Sequence, residues 1–304
     1  MFKKTVLTLA MLGVTTVANA DVLTSIKPLG FIANAITDGV TETKVLLPVT
    51  ASPHDYSLKP SDIEKLKSAQ LVVWVGDSLE AFLEKSIDKL PKEKVLRLED
   101  VPGIKMIVDA TKKKDHHDHD HDHDHGHIHG HHHDKDWHIW FSPEASQLAA
   151  EQIAERLTAQ LPEKKAKIAE NLAAFKANLA DKSNEIIQQL QAVKDKGYYT
   201  FHDAYGYFER AYGLTSLGSF TINPTIAPGA KTLNAIKENI AAHKAQCLFA
   251  EPQFTPKVID SLSKSTAVKV GQLDPLGAKV KLSKTAYPQF LQAIADEFSQ
   301  CLTQ

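Results

Sequence analysis

Residues 163–192 read EKKAKIAENLAAFKANLADKSNEIIQQLQA, with no proline or glycine after Pro162. Ile168, Leu172, Phe175, Leu179, Ile186 and Leu190 recur at helical spacing and share one face. One helix over this stretch, at ~1.5 Å per residue, is roughly 45 Å long, about the length of a whole domain. A helix of that length is either a core element or a spine joining two bodies. The sequence on its two sides decides which.

On the N-terminal side, short β-branched runs alternate with helical segments. DVLTSI (21–26), TKVLLPV (43–49), LVVWVG (71–76) and KVLRLE (94–99) read as strands buried on both faces. GFIANAITDG and SDIEKLKSAQ read as helices between them, the second with Ser61 as N-cap and Glu64 completing a capping box. The rhythm returns beyond the long helix in GYYTFH (197–202), LTSLGSF (214–220), QCLFAE (246–251) and AVKVGQLD (267–274). This is the βαβ pattern of parallel sheets flanked by helices. The expected fold is therefore α/β in two lobes: residues 21–160, a linking helix over 161–192, and residues 193–304. A site belongs in the interlobe cleft, where strand C-termini point.

The first twenty residues, MFKKTVLTLAMLGVTTVANA, have the parts of a secretory signal: Lys3 and Lys4, an apolar stretch, and Ala18-Asn19-Ala20 as a small-x-small cleavage site. The apolar stretch is far short of the ~20 residues that cross a bilayer. No cysteine sits near the junction to take a lipid. The mature chain is expected to start at Asp21 in a periplasm, and removing 20 of 304 residues leaves 284. Loss of two lysines takes the formal charge from −2 to −4, and no basic patch stands out, so nucleic acid and anionic membrane surfaces are poor partners. In an oxidising compartment the only two cysteines, Cys247 and Cys301, are expected to pair.

Residues 112–135 hold a run of histidine and aspartate. Eleven of the fifteen histidines lie there: His116, His117, His119, His121, His123, His125, His127, His129, His131, His132 and His133. Of the other four, His54 follows the second strand in a Pro-rich loop, His138 precedes a helix that starts near Pro143, and His202 ends the strand GYYTFH. His243 reads as a surface or helix-end residue. Glu251 and Asp274 stand at two further strand ends. Three neutral imidazoles with one oxygen donor suit tetrahedral Zn²⁺, whereas Mn²⁺ wants more carboxylate. Spacing alone does not show that such distant residues converge.

Four ordered segments go further: SPHDYSLKPSDIEKLKSAQLVVWVG, DWHIWFSPE, FHDAYGYFERAYGL and DPLG. Together with the His-rich insert they resemble the ZnuA-type periplasmic zinc-binding proteins of zinc ABC importers, and the resemblance runs the length of the chain. It implies two α/β lobes bridged by one long helix, with the metal between them. It implies His54, His138 and His202 as zinc ligands, Zn²⁺ as cargo, and a membrane permease as partner to a monomeric binding protein. In manganese- and iron-binding relatives a carboxylate commonly replaces the third histidine; His202 at that position favours zinc. Some zinc members carry a glutamate immediately before the first ligand, where this chain has Pro53. The fourth ligand is then Asp274 or water, with Glu251 behind them.

The His/Asp run has no apolar periodicity, so it is expected to be a mobile loop and an accessory, low-affinity zinc site. A merely solubilising insert is the alternative. Catalytic zinc also uses three histidines and water, yet no H-E-x-x-H or similar metallohydrolase motif occurs, and an enzyme is not expected. An adhesin role, given to some relatives, lacks the lipid-anchor cysteine that surface display would use.

Overall fold

A computed structural model describes residues 21–111, 135–254 and 257–303. The signal segment and the His/Asp run therefore lie outside the described residues. The N-terminal lobe is built on β1 (Val22–Thr24), β2 (Thr43–Val45), β3 (Leu71–Trp74) and β4 (Val95–Arg97), with helices α1 (Lys27–Thr37), α2 (Pro60–Ser68), the single turns α3 (Asp77–Glu80) and α4 (Glu84–Ile87), α5 (Pro102–Ala110) and α6 (Pro143–Gln160). Next comes α7 (Lys165–Leu190). The C-terminal lobe holds β5 (Gly197–His202), α8 (Gly206–Tyr212), β6 (Gly218–Thr221), α9 (Ala230–Ala241), β7 (Ala245–Ala250), α10 (Lys257–Thr266), β8 (Lys269–Gln272) and α11 (Ala286–Thr303). Both sheets are parallel throughout and share one topology, β2-β1-β3-β4 and β6-β5-β7-β8. No helix among the described residues is long and apolar enough to cross a membrane.

Two sequence expectations need correction. Burial on both faces holds for the central strands β1 and β3, but Lys44 of β2 is exposed and Val95 and Arg97 of β4 are half-buried. Edge strands have a neighbour on one side only. Helix α2 is capped not by Ser61 and Glu64 but by Lys59 and Asp62, whose carboxylate accepts from the Lys59 amide at 3.1 Å. Pro60 supplies a helical φ one residue earlier than Ser61 would, which moves the frame. Leu172 packs partly buried against the core with the rest of its helix face, and Asn171 beside it is buried and donates to the carbonyls of Ile36 and Asp38 at 2.9 and 2.8 Å. It thereby closes the C-terminal end of α1, whose free carbonyls need donors.

The lobes share a core. Rings run in contact from α1 to β7: Phe31–Phe290 at 5.6 Å, Phe290–Phe141 at 5.6 Å, Phe141–Tyr205 at 5.0 Å, Tyr205–Phe298 at 6.4 Å and Phe298–Phe249 at 4.9 Å. Helix α11, which carries Phe290 and Phe298, packs on α7, α1, β7 and β8. Gly277 of DPLG has φ +62°, and a Cβ there would stand 2.8 Å from both Phe31 and Phe290. Only glycine tolerates both conditions. A second, smaller core lies on the outer flank of the C-terminal lobe, around Phe220, Ile236, Ile240, Leu248, Ile259 and Leu262. Cys247 of β7 and Cys301 of α11 form a disulfide.

Candidate metal centre

Each of the three site histidines is delivered by a different device. His202 is the last residue of β5, a strand buried along its whole length. His138 stands at the start of a short 3-10 turn, Ile139–Phe141, directly before α6. That helix begins at Pro143, with the Ser142 hydroxyl accepting from the Ala145 amide at 3.1 Å. His54 lies in the loop after β2, in a tight turn closed by a Ser52–Asp55 bridge, and its amide donates to Ser52 Oγ at 3.2 Å. His138 and His202 are buried, and His54 is half-buried at the cleft mouth.

The three rings meet. Nε2 of His138 lies 3.1 Å from Nε2 of His54 and 3.3 Å from Nε2 of His202. The ring centroids are 5.1 to 5.6 Å apart. The outer nitrogens of two of them face carboxylates: His138 Nδ1 lies 2.7 Å from Asp136 Oδ1, and His202 Nδ1 lies 2.6 Å from Glu251 Oε1. A carboxylate accepts, so each Nδ1 carries the proton and each Nε2 turns a lone pair inward. Lone pairs aimed at one another at ~3 Å repel unless a cation lies between them. A tetrahedral ion with Zn–N bonds of about 2.0–2.1 Å would set its donors about 3.3 Å apart, close to the spacing found.

The carboxylates are themselves held. Asp136 Oδ1 also accepts from the His138 amide at 2.9 Å, and the Asp136 carbonyl accepts from the Tyr207 hydroxyl at 2.7 Å. Glu251 Oε1 accepts from the Tyr205 hydroxyl at 3.2 Å, and the Glu251 side chain is 1% exposed. Burial, then the charge of Glu251, pushes the Tyr205 hydroxyl well above its ordinary pKa, so it stays a donor. Burial likewise pushes Tyr207 up to about 12. The cleft is closed by Trp140, whose indole donates to the Pro275 carbonyl at 3.0 Å, and by Gln253, which donates to Val49 at 3.1 Å. Both bonds join the two lobes.

Asp274 is not brought into the group. Its carboxylate accepts from Gln253 Nε2 at 2.9 Å, the Leu276 amide at 3.0 Å and the Ala278 amide, and so braces the DPLG turn. His243 is exposed just past α9 with φ 55°, at a helix end as expected. Asp136 was missed as a functional residue; its signal was the D-x-H spacing, which lets one carboxylate reach both the amide and the ring two residues on. Glu251 was considered only as a ligand, whereas the structure has it accepting from a candidate ligand.

Carboxylates behind metal-binding imidazoles fix tautomer and orientation, and their loss typically lowers affinity ~10–100-fold. Glu251→Gln should weaken zinc binding by about that factor, because an amide cannot accept from His202 and Tyr205 on the same terms. Competition against a chelator measures it, with melting of the zinc-free variant as the folding control. Unchanged affinity would leave Glu251 without a part in the site.

Two parallel α/β lobes on one long helix, with convergent imidazoles in the cleft, define the class of metal-binding solute-binding proteins. The comparisons narrow the class. The family described as "Zinc-uptake complex component A periplasmic" matches residues 22–301. The high-affinity zinc uptake system protein ZnuA of Haemophilus ducreyi is 97% identical over 310 residues, covering 100% of both chains. Its Haemophilus influenzae counterpart is 52% identical over 338 residues, covering 100% of this chain and 99% of that one. Among solved structures, the periplasmic zinc binding protein TroA of Treponema pallidum superposes with a TM-score of 0.76 at 20% identity, covering 93% of this chain and 99% of that one. The chain belongs to the periplasmic component A family of zinc-uptake complexes, a family of binding components and not of enzymes.

Proposed function

We propose that the chain captures Zn²⁺ between its lobes with His54, His138 and His202 and hands it to the membrane permease of a zinc ABC importer. One observation carries the ligand set: the Nε2 spacing of 3.1 and 3.3 Å, which suits a small tetrahedral ion. An all-imidazole group favours Zn²⁺ over Mn²⁺ or Fe²⁺, which want more oxygen. With Asp274 committed to its turn, water is the fourth ligand. The rest of the reading is a leader cleaved after Ala20, a monomeric working form, and lobes bounded at residues 160 and 193.

The His/Asp run is the accessory of this site. Its eleven histidines have no apolar periodicity with which to build a fixed framework, so ordering backbone around an ion costs ~1–2 kcal/mol per residue. Deleting residues 115–134 should lower total zinc per protein while leaving the tightest dissociation constant within about tenfold, because His54, His138 and His202 all lie outside the run. A calorimetric titration of this deletion beside His54→Ala in the full chain tests both sites. If deletion removes the tight phase and His54→Ala does nothing, the run is the main site and the proposal fails.

A further inference from the structure

The loop that follows β6 has features that ion binding does not require. Thr221 is paired with His202 across the β5–β6 ladder, and its carbonyl accepts from the Asp203 amide at 3.1 Å, so the loop leaves the sheet beside the candidate ligand. Pro224 turns inward and lines the cleft with His54, His138 and His202. Ile222 and Ile226 turn outward and are 66% and 61% exposed. Among the large apolar side chains left exposed by the described residues, these two share one loop at the mouth of the site.

The loop is built to hold this display. Asn223 Oδ1 accepts from the Thr225 amide at 2.9 Å and the Thr225 hydroxyl at 2.8 Å. The Asn223 carbonyl accepts from the Thr221 hydroxyl at 2.8 Å and the Ile226 amide at 3.0 Å. The segment itself carries no charge: residues 211–230 contain no Asp, Glu, Lys or Arg in a chain that is 24% charged. Exposed isoleucines cost solubility, and a contiguous apolar patch beside a site marks an interaction surface. A preformed turn loses little conformational freedom on docking, and a loop without charges of its own strands none of them when water is expelled.

We propose that the 221–228 loop is a docking knob, seating Ile222 and Ile226 in an apolar recess on the periplasmic face of the permease. The proposal rests on the transport reading above. The ion leaves by the mouth that this loop borders, so the surface that receives it must approach there. A second copy of the chain is the rival occupant, but it would cover the exit.

The test uses the full chain carrying both Ile222→Ser and Ile226→Ser, with Met106→Ser, 68% exposed on α5, as control. Zinc affinity is read by chelator competition. Uptake is read as zinc accumulation by zinc-starved cells that have the permease but lack their own binding protein. Zinc affinity should stay within about twofold while permease-dependent uptake at limiting protein falls roughly tenfold or more, the scale of lost interface hot spots. Met106→Ser should change neither. Unimpaired uptake by the double variant overturns the proposal. So does a parallel fall in zinc affinity, which would make the loop part of the ion site only. A wild-type dimer that the double variant dissociates assigns the patch to a second copy instead. A wild type that binds zinc yet drives no uptake at all sinks the transport reading itself, an outcome distinct from the others.

Discussion

Replacing His202 with alanine in a chain lacking residues 115–134 will lower zinc affinity by at least two orders of magnitude. Zinc held by a complete set of four ligands gains about 10–16 kcal/mol, so one bond carries roughly 3 kcal/mol, or a factor above about one hundred. The loss has a second part. His202 is 3% exposed, and its removal leaves Glu251 buried with only the Tyr205 hydroxyl to satisfy it. His138→Ala should behave alike, since Nε2 of His138 lies closest to both other rings and Asp136 would lose its ring partner. Competition with a chelator of known affinity gives the constants. The zinc-induced rise in melting temperature gives an independent reading, because a ligand that binds only the folded chain stabilises it by RT ln(1 + L/Kd), L being the free ligand concentration. If single alanine variants of His54, His138 and His202 all keep the tight constant, the ligand assignment is wrong.

The Cys247–Cys301 bridge carries the second large effect. It ties α11 to β7 across a sequence separation of 54, and closing a loop of that length lowers denatured-state entropy by the equivalent of roughly 4 kcal/mol. Cys301→Ser, at the less deeply buried end of the bridge, should therefore shift the denaturant midpoint by a large fraction of the whole stability, which for a domain is about 5–15 kcal/mol. Reduction of the wild type should produce the same shift, which separates the bridge from any packing fault of the serine. Zinc affinity should hardly change, because neither cysteine lies among the groups around the three imidazoles. A reduced wild type with an unmoved midpoint would show that the closed loop contributes nothing.

Sequence periodicity placed the long helix within a few residues of Lys165–Leu190 and found β5 at its observed bounds. Those elements are long or wholly buried, so the pattern is unambiguous. It failed where a single neighbour decides: the frame of α2 turned on Pro60, and the exposure of β2 and β4 on their place at the sheet edge. The three histidines were legible because each stands at a strand end or helix start. Their partners were less so, since the approach of Glu251 to His202 depends on how β5 and β7 pair, 49 residues apart. Asp274 shows the opposite failure. Its motif marks it as a donor, but its own turn and Gln253 take up its oxygens.

The ring chain from Phe31 to Phe249 has a mechanical consequence. Swinging the lobes apart about a hinge would uncover Phe290, Phe141 and Tyr205, each covering about 150–250 Å² at ~25 cal/mol per Å². Three such rings cost on the order of 10 kcal/mol, comparable with the stability of a whole domain. The shared rings therefore oppose any swing of the lobes as separate bodies. The flank made by β6, α9 and α10 packs instead on the smaller core, which it shares with Tyr199 and Phe201 of β5 and Leu248 of β7. The molecule is stiffest along the spine, where both lobes contribute rings to one core.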